Sequence, residues 1–394
     1  MKRHNYQFFN SVVLEMTKWR HHIHRNPETA FEETKTVNFI SDLLKSFGLE
    51  LHQGLGSTGV VATLKAGKSN KKIAIRAEMD ALNIMEENAI PYRSRIKSKM
   101  HACGHDGHSA MLLGAAKYLS KTKKFDGTVF FIFQPAEEIM GGAKRMIEDG
   151  LFDLFPADSI YSMHNIPNIP AGHFAVKNGP IMASMDNFEI VLIGRSGHAA
   201  MPKFGSDLIS TGSEIIANVN STINKLSLPS DPLVLSFTSI NSGNSYNILP
   251  SQLSLLGTLR CFNETTRKKI LNECFPKILK QICRLHRVQY SIMFNKDSPA
   301  YPVTVNSEKE TKLASIVAIK TVGEKKVNFN PVPWTASEDF SFMLKKIPGC
   351  YIWIGNGRSS KNSGLHKPQY DFNDKILSTG ASFWVNLVED ILMI

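Results

Sequence analysis

Within eight residues, His101-Ala102-Cys103-Gly104-His105-Asp106-Gly107-His108, the chain places one thiol and three imidazoles. Cys and His bind borderline-soft divalent ions through sulfur and nitrogen. Further metal-capable groups follow in Gln134-Pro135-Ala136-Glu137-Glu138, Met163-His164-Asn165 and Leu365-His366-Lys367-Pro368, each where a strand is expected to end. Together they describe a metal site assembled from several loops, and such a site serves hydrolysis.

Each motif also has a plainer local reading. Cys103 and His105 flank Gly104, so they could be a nucleophile and its base, or a buried thiol beside a capping imidazole. Glu137-Glu138 could be the acidic start of the helix that Gly141-Gly142 opens, favoured by the helix dipole. His164 and His366 alone could be ordinary hydrogen-bonded histidines, and Arg76 with Asp80 a structural ion pair. The local readings leave unexplained why acids and imidazoles recur at later strand ends. On a turn, adjacent Glu137 and Glu138 can serve one site in two roles, one ligating a metal and the other accepting a proton from the attacking water.

The elements that must position these groups follow from periodicity. Residues 6–24 and 32–47 read as amphipathic helices broken by Pro27, and 108–120 as a helix apolar almost all round, hence buried. Ile73-Ala74-Ile75-Arg76, Val129-Phe130-Phe131-Ile132-Phe133 and Ser159-Ile160-Tyr161-Ser162-Met163 read as inner strands, with a helix to about 149 between the last two. Strands alternating with helices predict a mostly parallel sheet flanked by helices, whose sites gather at the carboxyl ends of strands. After Met182-Ala183-Ser184 the pattern changes to a strand at 187–194, a helix at 206–225, strands at 233–239 and 253–260, a helix at 264–286 and a strand at 288–294. That β-α-β-β-α-β order predicts an open-faced α+β sandwich. Helices at 306–320, 337–345 and 374–391 and a strand at 351–354 return to the first pattern. The expected fold is an α/β catalytic domain in two parts, 1–184 and 297–394, interrupted by an inserted α+β domain at 185–296. His198, in Gly197-His198-Ala199-Ala200, belongs to the insertion and could act as an electrophile delivered from it.

With 46 basic against 35 acidic residues the formal net charge is +11, but the basic residues are scattered and not interleaved with aromatics. That pattern speaks against nucleic-acid binding and for a solvated surface attracting anionic small molecules. The five cysteines are odd in number and widely spaced, which predicts reduced thiols and a cytoplasmic location. The apolar stretch from Phe8 to Leu14 is broken by Glu15, and no apolar run approaches a membrane span, so neither a signal peptide nor a membrane anchor is expected.

Taken as a constellation, the chain resembles the M20 metallopeptidases, specifically the amidohydrolase branch of hippurate hydrolases, N-acyl-amino-acid hydrolases and auxin-conjugate hydrolases. The likeness runs from Arg20-His21-His22-Ile23-His24-Arg25-Asn26-Pro27-Glu28 to Tyr370-Asp371-Phe372-Asn373-Asp374. Its most specific pieces are Met100 to His108, Gln134 to Glu138 and Ser337-Glu338-Asp339-Phe340. The resemblance implies a binuclear site for two divalent ions (Mn, Zn, Ni or Co) on Cys103, His105, Glu138, His164 and His366, with Cys103 bridging. It implies Glu137 as general base, His198 as oxyanion stabiliser, and Asn247 and Arg260 as partners of the substrate carboxylate or oxyanion. It further implies a small-molecule N-acyl amino acid as substrate and a homodimer or tetramer. The family's Arg-Ala-Asp-Met-Asp-Ala-Leu-Pro appears here as Arg76-Ala77-Glu78-Met79-Asp80-Ala81-Leu82-Asn83, so Glu78 and Asp80 fall where carboxylates would orient a ligand, Glu78 with one methylene more than usual. The expected activity is hydrolysis of the amide of an N-acyl amino acid. The alternatives are a dipeptidase or carboxypeptidase, an N-acetyl-diaminopimelate deacetylase, or a metal-binding protein without turnover.

Overall fold

The computed structural model describes residues 3–138, 141–360 and 363–394. By its internal contacts the chain divides into two units: Met1–Ile181 with Val305–Val332 and Asp339–Ile394, and Met182–Thr304 with Pro333–Glu338.

The first unit is built on an eight-stranded mixed sheet. Its strands β1 (Glu50–Leu55), β2 (Gly59–Ala66), β3 (Lys72–Glu78), β4 (Gly127–Gln134) and β5 (Ser159–Pro167) stand in the order β1-β2-β4-β3-β5, continued by Gly349–Gly357, Phe174–Ala175 and Val327–Asn328. The inner pairs β4–β3, β3–β5 and β5–Gly349–Gly357 are parallel. All residues of β4 and β5 are buried, as continuous apolar runs in a doubly covered sheet must be. The antiparallel β1–β2 edge was absent from the sequence reading. β1 is nearly all exposed and Glu50-Leu51-His52-Gln53 carries no alternation, so no period marks it. His164 was expected at a strand end, but β5 runs three residues further and His164 pairs across to Trp353 within it.

Helices α1 (Arg3–Arg25), α2 (Thr34–Ser46) and α3 (His105–Thr122) open the helical layers. In α1, Phe9, Val12, Met16, Trp19 and Ile23 are buried at alternating spacings of three and four, which puts them on one stripe. The stripe packs on α3 at Gly114, where a Cβ would meet the Met16 side chain at 2.8 Å. Arg20 and His24 continue the same face, fully buried, toward the start of α3. Helix α3 is enclosed almost all round and shares one apolar core with α1, the sheet and the final helix Leu377–Ile391.

The second unit is the expected α+β sandwich. Its sheet runs Val234–Ser242, Gln252–Arg260, Asp186–Ile193, Gln289–Phe294, every pair antiparallel. Alternate residues Leu253, Leu255 and Leu259 enter a separate core against helices Leu208–Leu226 and Phe275–His286. The helix expected at 264–286 is interrupted by a π turn at Ile270–Cys274. Pro276, at the start of the following segment, has no N–H to continue the ladder, which accounts for the irregularity. No helix among the described residues is long and apolar enough to cross a membrane, and all five cysteines are free.

Candidate active site

Cys103 and His105 leave the loop before α3 through Gly104, whose φ of +95° is left-handed. A Cβ there would also collide with Asn165 and the Tyr370 hydroxyl, so only glycine permits both the turn and the close approach. Glu137 and Glu138 lie on the turn just after β4, and His164 points from β5. His366, also left-handed at φ +59°, is pinned by its N–H donating to the Ala102 carbonyl at 2.8 Å, which ties the segment carrying His366 to the one carrying Cys103.

These side chains form overlapping donor clusters: Cys103–His105–His164, Cys103–Glu138–His366 and His105–Glu137–Glu138, each with its ligand atoms within 4.8 Å of one another. Cys103 Sγ lies 3.3 Å from His164 Nε2, and His366 Nε2 lies 3.3 Å from Glu138 Oε2. His105 Nε2 and Glu138 Oε1 are buried, face each other at 3.9 Å and have no hydrogen-bond partner. Orphaned buried polar atoms of this kind call for an ion.

Two of the histidines, His105 and His164, are held in the tautomer a metal needs. His105 Nδ1 donates to Asp80, at 2.9 Å from its carbonyl and 3.1 Å from Oδ1, and His164 Nδ1 donates to the Asn165 carbonyl at 2.8 Å, leaving both Nε2 atoms turned inward. Burial and the neighbouring His108 push His164 down to about 3, so it is a neutral donor. Burial alone would lower His105 too, but its bond to Asp80 and the charges of Asp80, Glu78 and Glu138 carry it up to about 10. Burial, Glu138 and Glu137 push the Cys103 thiol well above its usual range. Glu78, Asp80 and Glu138 around His105, and Glu137 and Glu138 beside Cys103, supply negative charge that a divalent cation would neutralise. The mixed S, N and O donor set fits borderline divalent ions.

The structure separates the two carboxylates that were read together. Asp80 touches His105 and accepts the Glu138 N–H at 3.1 Å; it does not pair with Arg76. Glu78 makes no hydrogen bond or ion pair with a member of these three donor clusters. Its longer side chain reaches the Arg76 guanidinium and His108 Nδ1, the latter at 2.9 Å, and His108 Nε2 lies 2.7 Å from Asn165 Oδ1. Although burial opposes it, Arg76 and His108 hold the Glu78 carboxyl well below the usual range. Arg76 in turn donates to Asp339 Oδ1 at 2.7 Å, and Asp339 accepts the Ala143 N–H at 2.8 Å. His101 stays out of the cluster; its ring is buried 6.2 Å from that of His24.

A second polar network, missed in the sequence reading, braces the site from α1. Arg20 donates to Asp106, Asp371 and Asp374, linking the start of α3 to the segment after His366. His24 lies between Asp106 at 2.8 Å and Glu86 at 3.2 Å. Its signal was present: four-residue steps from Met16 through Arg20 to His24 put both on the helix's buried face. Burial lowers the His24 pKa, but bonds to Asp106 and Glu86 outweigh it and raise it from 6.5 to about 9. Such a raised value stabilises the fold fully below about pH 6.5 and is lost as pH rises through about 9, a swing of about 3 kcal/mol. Urea unfolding at pH 6 and pH 9.5 should show this decline, and His24→Gln should flatten it; equal slopes in both proteins would contradict the pairing.

In the second unit, Gly197–His198 pairs with Ile248–Leu249, which sets Asn247 beside the His198 strand, its carbonyl accepting the Ala199 N–H at 3.0 Å. His198 is exposed, and its Nδ1 accepts the Ala200 N–H at 3.1 Å, which leaves Nε2 as a donor. Arg260 ends its strand on the helix-free face, donates to Ser337 Oγ at 2.6 Å and lines a cavity of about 370 Å³ with Asn187, Thr258 and Lys296.

The loop into α3, the turn after β4, strand β5 and the segment carrying His366 converge a cysteine, three histidines and paired glutamates, the donor set of a metal-dependent hydrolase. Residues 74–390 match Peptidase family M20/M25/M40. The chain is 41% identical to a hippurate hydrolase of Campylobacter jejuni over 95% of each chain, and 33% identical to an N-acetylcysteine deacetylase of Bacillus subtilis over 98% of each. Among solved structures it is similar to the dinuclear metal-binding M20 peptidase YXEP of Bacillus subtilis, 30% identical with a TM-score of 0.83, covering 97% of this chain and 99% of that one. The chain belongs to the M20 family and is a metal-dependent amidohydrolase.

Proposed function

We propose that the protein hydrolyses the amide bond of N-acyl amino acids, releasing a carboxylic acid and a free amino acid. The observation that carries this reading is Cys103 shared by two donor clusters, with Glu137 within reach of both His105 and Glu138. The names of the similar proteins support an acylated amino acid as substrate.

Cys103, His105, Glu138, His164 and His366 would hold two divalent ions of the Mn, Zn, Ni or Co kind. Such ions polarise the acyl carbonyl and make water acidic enough to attack near neutral pH. Glu137 takes the proton of the attacking water and returns it to the leaving amine. His198 Nε2 donates to the developing oxyanion. Arg260 and Asn247 hold the α-carboxylate, Arg260 through charge-assisted hydrogen bonds. The inserted segment 185–296 carries these three residues, and a homodimer is the assembly proposed for it.

The test is amino-acid release from N-acetyl, N-benzoyl and longer N-acyl amino acids and from dipeptides, after chelation and re-addition of Mn, Zn, Co or Ni. Release from N-acyl substrates that disappears on chelation and returns with metal is expected. Release from dipeptides alone would replace this reading with a peptidase. Binding of metal without release from any substrate would remove both.

A further inference from the structure

The turn carrying Glu137 and Glu138 begins with Ala136 at φ +54°, a left-handed conformation that a residue with a Cβ adopts only when its surroundings impose it. Several described contacts impose it. The Ala136 carbonyl accepts the Gly142 N–H at 3.0 Å, and the Glu138 N–H is accepted by Asp80. The Ala136 N–H donates to Glu33 Oε1 at 3.0 Å. Glu33 stands just before α2, far from the motifs in sequence, and is fully buried. Its other oxygen accepts the Thr58 hydroxyl at 2.6 Å.

A buried carboxyl held by a hydroxyl and main-chain N–H groups, with no cationic side chain among the described residues in an ion pair with it, is a poor way to stabilise a core; an apolar side chain of the same size would do as well or better. Burial and nearby Asp80 push Glu33 up to about 7, a measure of how unwelcome its charge is. What an apolar residue could not do is accept the N–H of a left-handed turn.

We infer that Glu33 is a positioning residue for the reaction: through the Ala136 N–H it holds the turn in the conformation that sets Glu137 and Glu138 against the donor cluster. This rests on the roles proposed above for those two glutamates. Asp80 and Glu33 then grip the turn at its two ends, Asp80 at Glu138 and Glu33 at Ala136.

The test uses the full-length, metal-loaded protein and an N-acyl substrate it turns over. Glu33→Leu fills the volume and removes both acceptor oxygens, whereas Glu33→Gln keeps an acceptor for the Ala136 N–H and can donate to Thr58. Glu33→Leu should lower kcat roughly 30- to 300-fold, the scale of a catalytic group misplaced by about 1 Å. KM should stay within about threefold of the parent, and Glu33→Gln should restore kcat to within about fivefold, because the loss lies in the chemical step and not in binding. Parent-like kcat in Glu33→Leu, or equal losses in Leu and Gln, would overturn the inference. Should Glu33→Leu not fold, Thr58→Val deletes the hydroxyl that orients Glu33 at constant shape. A fall in kcat of about three- to tenfold at unchanged KM then supports the inference, and an unchanged kcat overturns it. Glu137→Gln measured alongside separates the two levels. Retained turnover in Glu137→Gln would defeat the proposed roles themselves, while an inactive Glu137→Gln beside a fully active Glu33→Leu would defeat only the role of Glu33.

Discussion

Glu137→Gln is expected to lower kcat about a thousandfold, near 4 kcal/mol of barrier, while two metal ions per chain and the folded state are kept. The side chain is nearly buried, and its Oε1 lies 3.4 Å from the Asp339 N–H that donates to it. Glutamine has the same shape and retains that acceptor, so the turn has no reason to move. The variant loses only a carboxylate that can take up a proton and give it back. Amino-acid release gives kcat, and elemental analysis of the purified variant gives metal content. Turnover within tenfold of the parent would remove Glu137 as the base. Loss of metal together with activity would make it a ligand instead.

Arg76→Met should be the most damaging single change to the fold, with a loss of about 3–5 kcal/mol, because it removes the guanidinium paired with two buried carboxylates, Glu78 and Asp339. Arg76, Glu78 and Asp339 are all inaccessible to solvent. The guanidinium donates to Gln134 Oε1 at 2.7 Å, to Asp339 and to Glu78, and lies 5.6 Å from the Phe340 ring. Methionine fills much of the space and none of the hydrogen bonds. Urea unfolding of the chelated protein, monitored by tryptophan emission and circular dichroism, reads the loss without metal stabilisation in the balance. A midpoint close to the parent's would mean that Glu78 and Asp339 are neutralised by other means. The same contacts show what the unusual Glu78 does. Its extra methylene spans from Arg76 to His108, so it braces the layer beneath the donor clusters, and Asp80 is the carboxylate that orients His105.

Much of this was legible in the chain itself. The apolar runs of β4 and β5 and the near-uniform burial of α3 leave no alternative to inner elements of a layered α/β unit, because such segments have no polar face to offer water. The β-α-β-β-α-β order of the second unit was readable for the same reason. The edge strand β1 was not, since an exposed strand is defined by the neighbour that pairs with it and not by its own pattern. Of the site, the residue types were readable and the partners were not. The motif could not say that Asp80 and not Glu78 faces His105, nor that Arg20 and His24 of α1 brace Asp106.

By itself, then, the sequence determined the donor types, the elements that carry them and the class of chemistry, because period and composition act along the chain. Only the tertiary structure decided which oxygen meets which nitrogen. Those pairings join residues as far apart as Arg20 and Asp374, or Glu33 and Ala136, and their geometry follows from the packing of whole layers. A hydrogen bond tolerates only a few tenths of an ångström, and no one-dimensional pattern carries that information.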